Sequence, residues 1–294
     1  MNKFRGLLLL MRPANIITAI ADVLAGAAIT GIWAQREHTL PPGIGWLCLS
    51  TIGLYGGGVV FNDVFDAELD RVERPERPIP SGVVRLQEAQ LLGLILLLTG
   101  ITAAFIASNL SGVIAILTAI GALVYNKWSK HQSLIGPLNM GLCRGLNLLL
   151  GISILPSAVP ALGYLSLIPL VYIAAVTTIS RGEVHGSSRT PLYLSAFLYL
   201  LVVLSVWTFG IYRHQALVTS LFLIGLVWMT GKPLLKAIAQ PIGPNIGKAV
   251  KAGVIALILL NAAWAAAAGT LYVAIFILIL LPISIALSKL FAVT

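Results

Sequence analysis

The uncharged run IGWLCLSTIGLYGGGVVFN (44–62) passes directly into DVFDAELDRVERPERPIPSG (63–82), and this junction decides how the chain is read. The first part matches a helix crossing the roughly 30 Å hydrocarbon core of a bilayer, which takes about 20 apolar residues. The second holds six of the protein's ten Asp and Glu residues. Asp63, Asp66 and Asp70 stand at i, i+3 and i+7, so a helix that continues two turns past Asn62 puts all three carboxylates on one face. Such a face calls for a cation, either a metal or the neighbouring arginines. Pro75, Pro78 and Pro80 then stop the helix and fold Arg71, Arg74, Arg77 and Arg85 into an ordered loop.

Outward from this junction the same contrast recurs. The 294 residues are 58% hydrophobic and 10% charged, against about 25% charged in soluble domains. Apolar runs over 14–34, 44–62, 88–107, 110–127, 134–155, 161–180, 191–211, 215–230, 248–268 and 270–291 predict an all-α, polytopic membrane bundle of about nine or ten helices, one domain over 1–294. The basic start followed by an apolar stretch is too long, and has too many spans behind it, for a signal peptide. Cys48 and Cys143 each lie in an apolar run and read as packing residues, with no disulfide framework or cysteine metal site.

The net charge of +9 could suggest nucleic acid in a soluble protein, but here it orients the chain. With the N-terminus in the cytoplasm, every Lys and Arg except Arg36, Arg144 and Arg213 falls on or beside a cytoplasmic segment, as the positive-inside rule requires. Much of this basic charge serves topology and contact with anionic lipid. The polar chemistry then gathers on that one side. Lys127 and Lys130, in YNKWSKHQSLIG (125–136), either complement the dipole of the helix they end or bind phosphate opposite the aspartates. ISRGEVHGSSRT (179–190) offers Arg181, Glu183, His185 and Arg189 amid small residues.

Polar side chains inside spans are costly in lipid. Asn15, Asn139, Asn147 and Asn261 either bond between helices or face a site. Asp22 and Arg144 either line a cavity or pair with each other.

The pattern N-D-x-x-D-x-x-x-D followed by R-P-x-R-P-x-P-S-G (62–82) resembles the first aspartate motif of the UbiA superfamily of intramembrane prenyltransferases. Arg12, Pro13 and Asn15 are similar to the R-P-x-N that begins that family's first helix. Tyr125, Lys127, Lys130, Gly136, Gly141 and Arg144 resemble its Y-x-K-x-x-K and the glycines after it. The resemblance implies a helical bundle around a central cavity, capped by the loops after helices two, four and six. It implies Mg2+ held by Asn62, Asp63, Asp66 and Asp70, gripping an allylic (poly)prenyl diphosphate whose carbon–oxygen bond ionises before an acceptor captures the cation. Lys127, Lys130, Arg71 and Arg77 would neutralise the diphosphate, with Tyr125 and Asn15 near the reacting carbon. The implied partners are a prenyl diphosphate, a small-molecule acceptor and the bilayer, with no nucleic acid and no obligate protein partner.

The family's second motif, D-x-x-D-x-x-x-D, is replaced. Its positions fall at Gly182, His185 and Arg189, and only Glu183 remains as a carboxylate. The stretch S-R-G-E-V-H-G (180–186) is similar to the UbiA-like branch called EboC. Arg181, Arg189 and Glu183 would either bind the diphosphate directly or recognise a polar acceptor. His185 is either a general base, with a pKa near neutrality, or a turn-capping residue. A substrate cavity is expected to include Asn15, Asp22, Asn139, Arg144 and His185. The rival reading is a prenyl-diphosphate binder or transporter that lost turnover with the second motif.

Overall fold

A computed structural model describes residues 2–33, 39–184 and 186–291, and among these the regular structure is helical throughout. The short helix α1 (Lys3–Met11) precedes the first expected span, its Asn2 side chain accepting from the Arg5 amide as an N-cap. Arg12 breaks the chain and Pro13 begins α2 (Pro13–Ile29), as proline's fixed φ favours at a first helical position. There follow α3 (Ile44–Phe65), α4 (Ala67–Glu73), α5 (Leu86–Ala107), α6 (Asn109–Lys127), α7 (Ile135–Ile152), the single turn α8 (Val159–Leu162), α9 (Leu167–Ser180), α10 (Arg189–Tyr212), α11 (Ala216–Ala239), α12 (Gly243–Ala267) and α13 (Leu271–Leu290).

Among the described residues nine helical segments are long and apolar enough to cross a membrane, with α1–α2 counted as one. The further span expected over 134–155 is α7, made more polar than the others by Asn139, Arg144 and Asn147. The protein is an integral multi-pass membrane protein.

Helices α2 and α12 are buried along almost their whole length and form the centre. Around them, α5, α10, α11 and α13 turn large apolar side chains such as Leu94, Phe197, Ile224 and Phe276 outward, as a lipid-facing ring must. Close helix approach rests on small residues. A Cβ on Gly26 of α2 would fall 2.3 Å from the Leu148 carbonyl of α7, and one on Gly53 of α3 would fall 2.4 Å from the Leu96 carbonyl of α5. The alternation of the helices brings the loops at 66–85, 128–134, 181–184 with 186–188, and 240–242 to one side of the bundle.

Candidate active site

The carboxylate face forms with one modification. Helix α3 ends at Phe65, Asp66 has φ −89° and ψ 0°, and α4 resumes at Ala67. The backbone bonds from Asp66 to Asn62 and from Asp70 to Asp66 keep the i, i+4 spacing across the break. Asp63 and Asp70 therefore stay together, both buried, and Asp66 turns toward the α6–α7 connection.

Each carboxylate has a cation. The Asp63 Oδ1 accepts from Arg12 Nη2 at 2.9 Å and from Arg77 Nη1 at 3.3 Å, while the same Arg77 nitrogen donates to Asp70 Oδ2 at 2.7 Å. Two carboxylates thus face one point, filled by a guanidinium nitrogen. Asp66 pairs with Lys130, which is lifted into place by a turn at Ser129–His131. Arg12 also reaches Asn62 Oδ1 at 3.5 Å, and Asn62 donates to Asn126 Oδ1 at 3.3 Å. Among the described residues no His, Cys, Asp and Glu side chains form a closed three-ligand metal group. The acids form an open mouth instead.

Below the mouth lies a cavity of about 210 Å3. Arg12, Asn62, Tyr125 and Asn126 line its top; Leu54, Val59, Ala122, Met140 and Cys143 its walls; Thr51, Thr118, Arg144 and Asn147 its lower end. The result is a charged opening over a largely apolar chamber with polar groups at its far end.

Several expected residues converge here and others do not. Asn62, Asp63, Asp66, Asp70, Arg77, Lys130 and Tyr125 meet at the mouth. Arg71 does not: it pairs with Glu68 on the outer face of α4, both side chains exposed. Lys127 is also turned away, its ammonium 4.7 Å over the Trp128 ring. The reason is the chain's departure from the α6 helix at Trp128, which sends positions 127 and 130 in different directions.

The expected substrate-cavity set divides likewise. Arg144 lines the cavity and also pairs with Asp22, Nε to Oδ2 at 2.5 Å, so for this residue the two alternatives hold together. Asp22 lies behind it, fully buried. Asn15 is buried in α2, and Asn139 donates to Ser129 Oγ at 2.8 Å, bracing the turn that carries Lys130. Neither is among the cavity-lining residues. His185 falls outside the described residues.

Arg12 and Asn126 are the residues that sequence reasoning passed over as site groups. Arg12 stands in the left-handed region with φ 50°, a conformation costing a non-glycine residue about 1–2 kcal/mol. That backbone turn aims its guanidinium at Asp63. The signal was available in its place immediately before Pro13.

Opposite the aspartates, Arg181 donates to the Gln132 carbonyl and ties the α9 end to the α6–α7 connection. Arg189 is exposed at the start of α10. Glu183 is half-buried, and burial raises its pKa above the ordinary 4.5, with the nearby Arg74 guanidinium opposing the shift. A carboxyl with a higher pKa folded than unfolded adds stability that is complete below the unfolded value and lost as pH rises through the folded one. The melting temperature of wild type relative to Glu183→Gln should therefore fall as pH is raised from below 4.5 to neutrality. A pH-independent difference would mean that Glu183 ionises as freely as in the unfolded chain.

A digeranylgeranylglyceryl phosphate synthase of Ignicoccus hospitalis is 34% identical over 185 residues, which cover 63% of this chain and 59% of that protein. The chain thus spans about three fifths of that relative's length. A solved structure described as digeranylgeranylglyceryl phosphate synthase in membranes superposes with a TM-score of 0.66 at 23% identity, covering 91% of this chain and 99% of the other. A UbiA homolog from Archaeoglobus fulgidus bound to GPP and Mg2+ gives a TM-score of 0.51 at 11% identity, over 91% and 99% of the two chains. Residues 23–240 match the UbiA prenyltransferase family, a stretch that runs from the central helix α2 through the aspartate mouth to the end of α11. By that match the chain belongs to the UbiA prenyltransferase family.

Proposed function

We propose that this protein transfers a prenyl group from an allylic diphosphate to a small-molecule acceptor within the membrane, with Mg2+ at the aspartate mouth. The observation that carries this reading is the matched set of three carboxylates and three cations over an apolar chamber. Its donor chemistry suits Mg2+, which prefers hard oxygens and commonly takes one or two carboxylates together with substrate phosphate and water. The shared focus of Asp63 and Asp70 offers those carboxylates, and Asp66 stands beside them. A closed cage is not needed. The Archaeoglobus neighbour bound to GPP and Mg2+ supports the same choice.

When bound, Mg2+ would supply the charge that makes diphosphate a leaving group. The chain's own residues do the rest. Arg12, Arg77 and Lys130 neutralise the aspartates, and the same cations would serve diphosphate oxygens. Positioned cations of this kind stabilise charge that grows on the departing group. Tyr125 turns a ring to the chamber, where a π face stabilises an allylic cation. The apolar walls keep water from capturing that cation before the acceptor does. The clustering of basic residues on the site's side of the bundle supports a cytoplasmic opening.

Purified protein given labelled farnesyl diphosphate and candidate acceptors should release diphosphate with Mg2+ and cease in chelator; tight binding without release under every acceptor would favour a transporter or binder. Within the same assay, Lys130→Ala should raise KM about tenfold to a hundredfold, the worth of a charge-assisted hydrogen bond. Lys127→Ala should leave KM within about twofold, as an exposed cation does. Equal effects would return Lys127 to the site.

A further inference from the structure

Helices α10 and α11 border a second cavity, an open groove of about 700 Å3 that shares no lining residue with the chamber below the aspartates. Leu223 is buried in it, and Leu204, Ile224, Val227 and Trp228 stand exposed along it. Toward one end Trp207 Nε1 donates to Ser220 Oγ at 3.1 Å, tying α10 to α11. Toward the other, on the side of the aspartate mouth, stands Lys232.

An apolar groove facing lipid is ordinary, but a cation on its wall is costly at membrane depth unless an anion answers it. Helical side chains lean toward the N-terminal end, and the Lys232 ammonium lies 5.8 Å from the centroid of the Trp228 ring, near the limit of a cation–π contact. Lys236 follows one turn later on the same face, where like charges repel. No Asp or Glu follows Glu183 in the sequence, and among the described residues neither lysine enters an ion pair. Their counterion comes from outside the chain.

We infer that the α10–α11 groove seats one anionic phospholipid of the leaflet on the mouth's side, an acyl chain along Ile224, Val227 and Trp228 and the phosphate between Lys232 and Lys236. An anionic headgroup satisfies both ammoniums, whereas a zwitterionic one brings a third cation to them. Topology by itself asks for basic residues near the helix end and for no groove beside them. A second copy of this chain is a poor occupant, because α10 to α13 hold no carboxylate to meet the lysines. The inference is independent of the prenyl-transfer reading.

The test places the whole protein in phosphatidylcholine nanodiscs and titrates in phosphatidylglycerol brominated on its acyl chains, which quench tryptophan on contact. Brominated phosphatidylcholine is the comparison, and Trp228→Phe isolates the groove's share of the signal by difference. Trp228 should be half-quenched at a mole fraction of the anionic lipid at least about tenfold lower, as two lysines at the membrane surface imply. Lys232→Gln combined with Lys236→Gln should bring the two lipids within about twofold. Gly231→Leu keeps both lysines and fills the groove: a Cβ on Gly231 meets no atom within 4 Å, and leucine suits a helix better than glycine. It too should abolish the preference. Equal quenching by both lipids in wild type, or a preference that survives the lysine variant, overturns the inference. A preference that survives Gly231→Leu shows attraction to surface charge without a seat, and overturns it as well. Weak quenching by both lipids in a protein that runs as a dimer would give the groove to a second copy instead.

Discussion

Asp63→Asn should lower Mg2+-dependent diphosphate release by about a thousandfold, the upper range for removing one positioned electrostatic group from a site. Asp63 is the carboxylate that touches both Arg12 and Arg77, with its side chain 8% exposed. An amide of the same shape still accepts one guanidinium hydrogen bond, so the backbone of the α3–α4 break has no reason to move. The negative charge is lost, and with it half of the carboxylate pair that converges on Arg77. Two arginines then face a neutral group where the proposed divalent cation would sit. Mn2+ binding followed by electron paramagnetic resonance should weaken in parallel with the rate. Glu68→Gln is the control, since Glu68 pairs with Arg71 on the exposed outer face. Wild-type release and metal affinity in Asp63→Asn would sink the metal assignment, and equal losses in both variants would point to a general charge effect.

The parts of the site legible in the sequence are those set by helical periodicity or by membrane cost. The i, i+3, i+7 spacing placed Asp63 and Asp70 on one face because the backbone bonds run through the break at Asp66. Periodicity fails where the helix ends. Lys127 and Lys130 are three apart in sequence, but the chain leaves α6 between them, and one contacts Trp128 while the other reaches Asp66. Arg71 and Arg77 were equivalent as loop cations, yet the former falls on the outer face of α4 and the latter beyond the prolines, where the chain returns over the mouth. Arg12 carried no periodic signal at all. Its role depends on a single left-handed residue between two helices, whose guanidinium meets Asp63, 51 residues further along the chain.

The second large effect belongs to the membrane interior. Arg144→Met should destabilise the protein by about 3–5 kcal/mol, the cost of leaving one charge of a buried pair without its partner. Asp22 is fully buried, forms an ion pair with Arg144 Nε on α7 at 2.5 Å, and accepts from Asn147 on α7 at 2.9 Å and Asn261 on α12 at 2.6 Å. One carboxylate therefore joins α2 to α7 and α12, two of the helices packed against it, at a depth where water cannot replace a lost donor. Removing the arginine strands the acid. Removing both, in Asp22→Leu with Arg144→Met, should recover part of the loss, because a neutral pair of similar bulk has no charge to desolvate. Denaturation of wild type, both single variants and the double variant gives the coupling directly, expected at about 1–3 kcal/mol for groups in contact. The exposed pair between Lys3 and Glu88, 2.7 Å apart, supplies the contrast: Lys3→Ala should leave the melting temperature unchanged, since solvent screens that interaction. Additive losses at Asp22 and Arg144 would show that each is held by its other partners and that their ion pair does not join the helices.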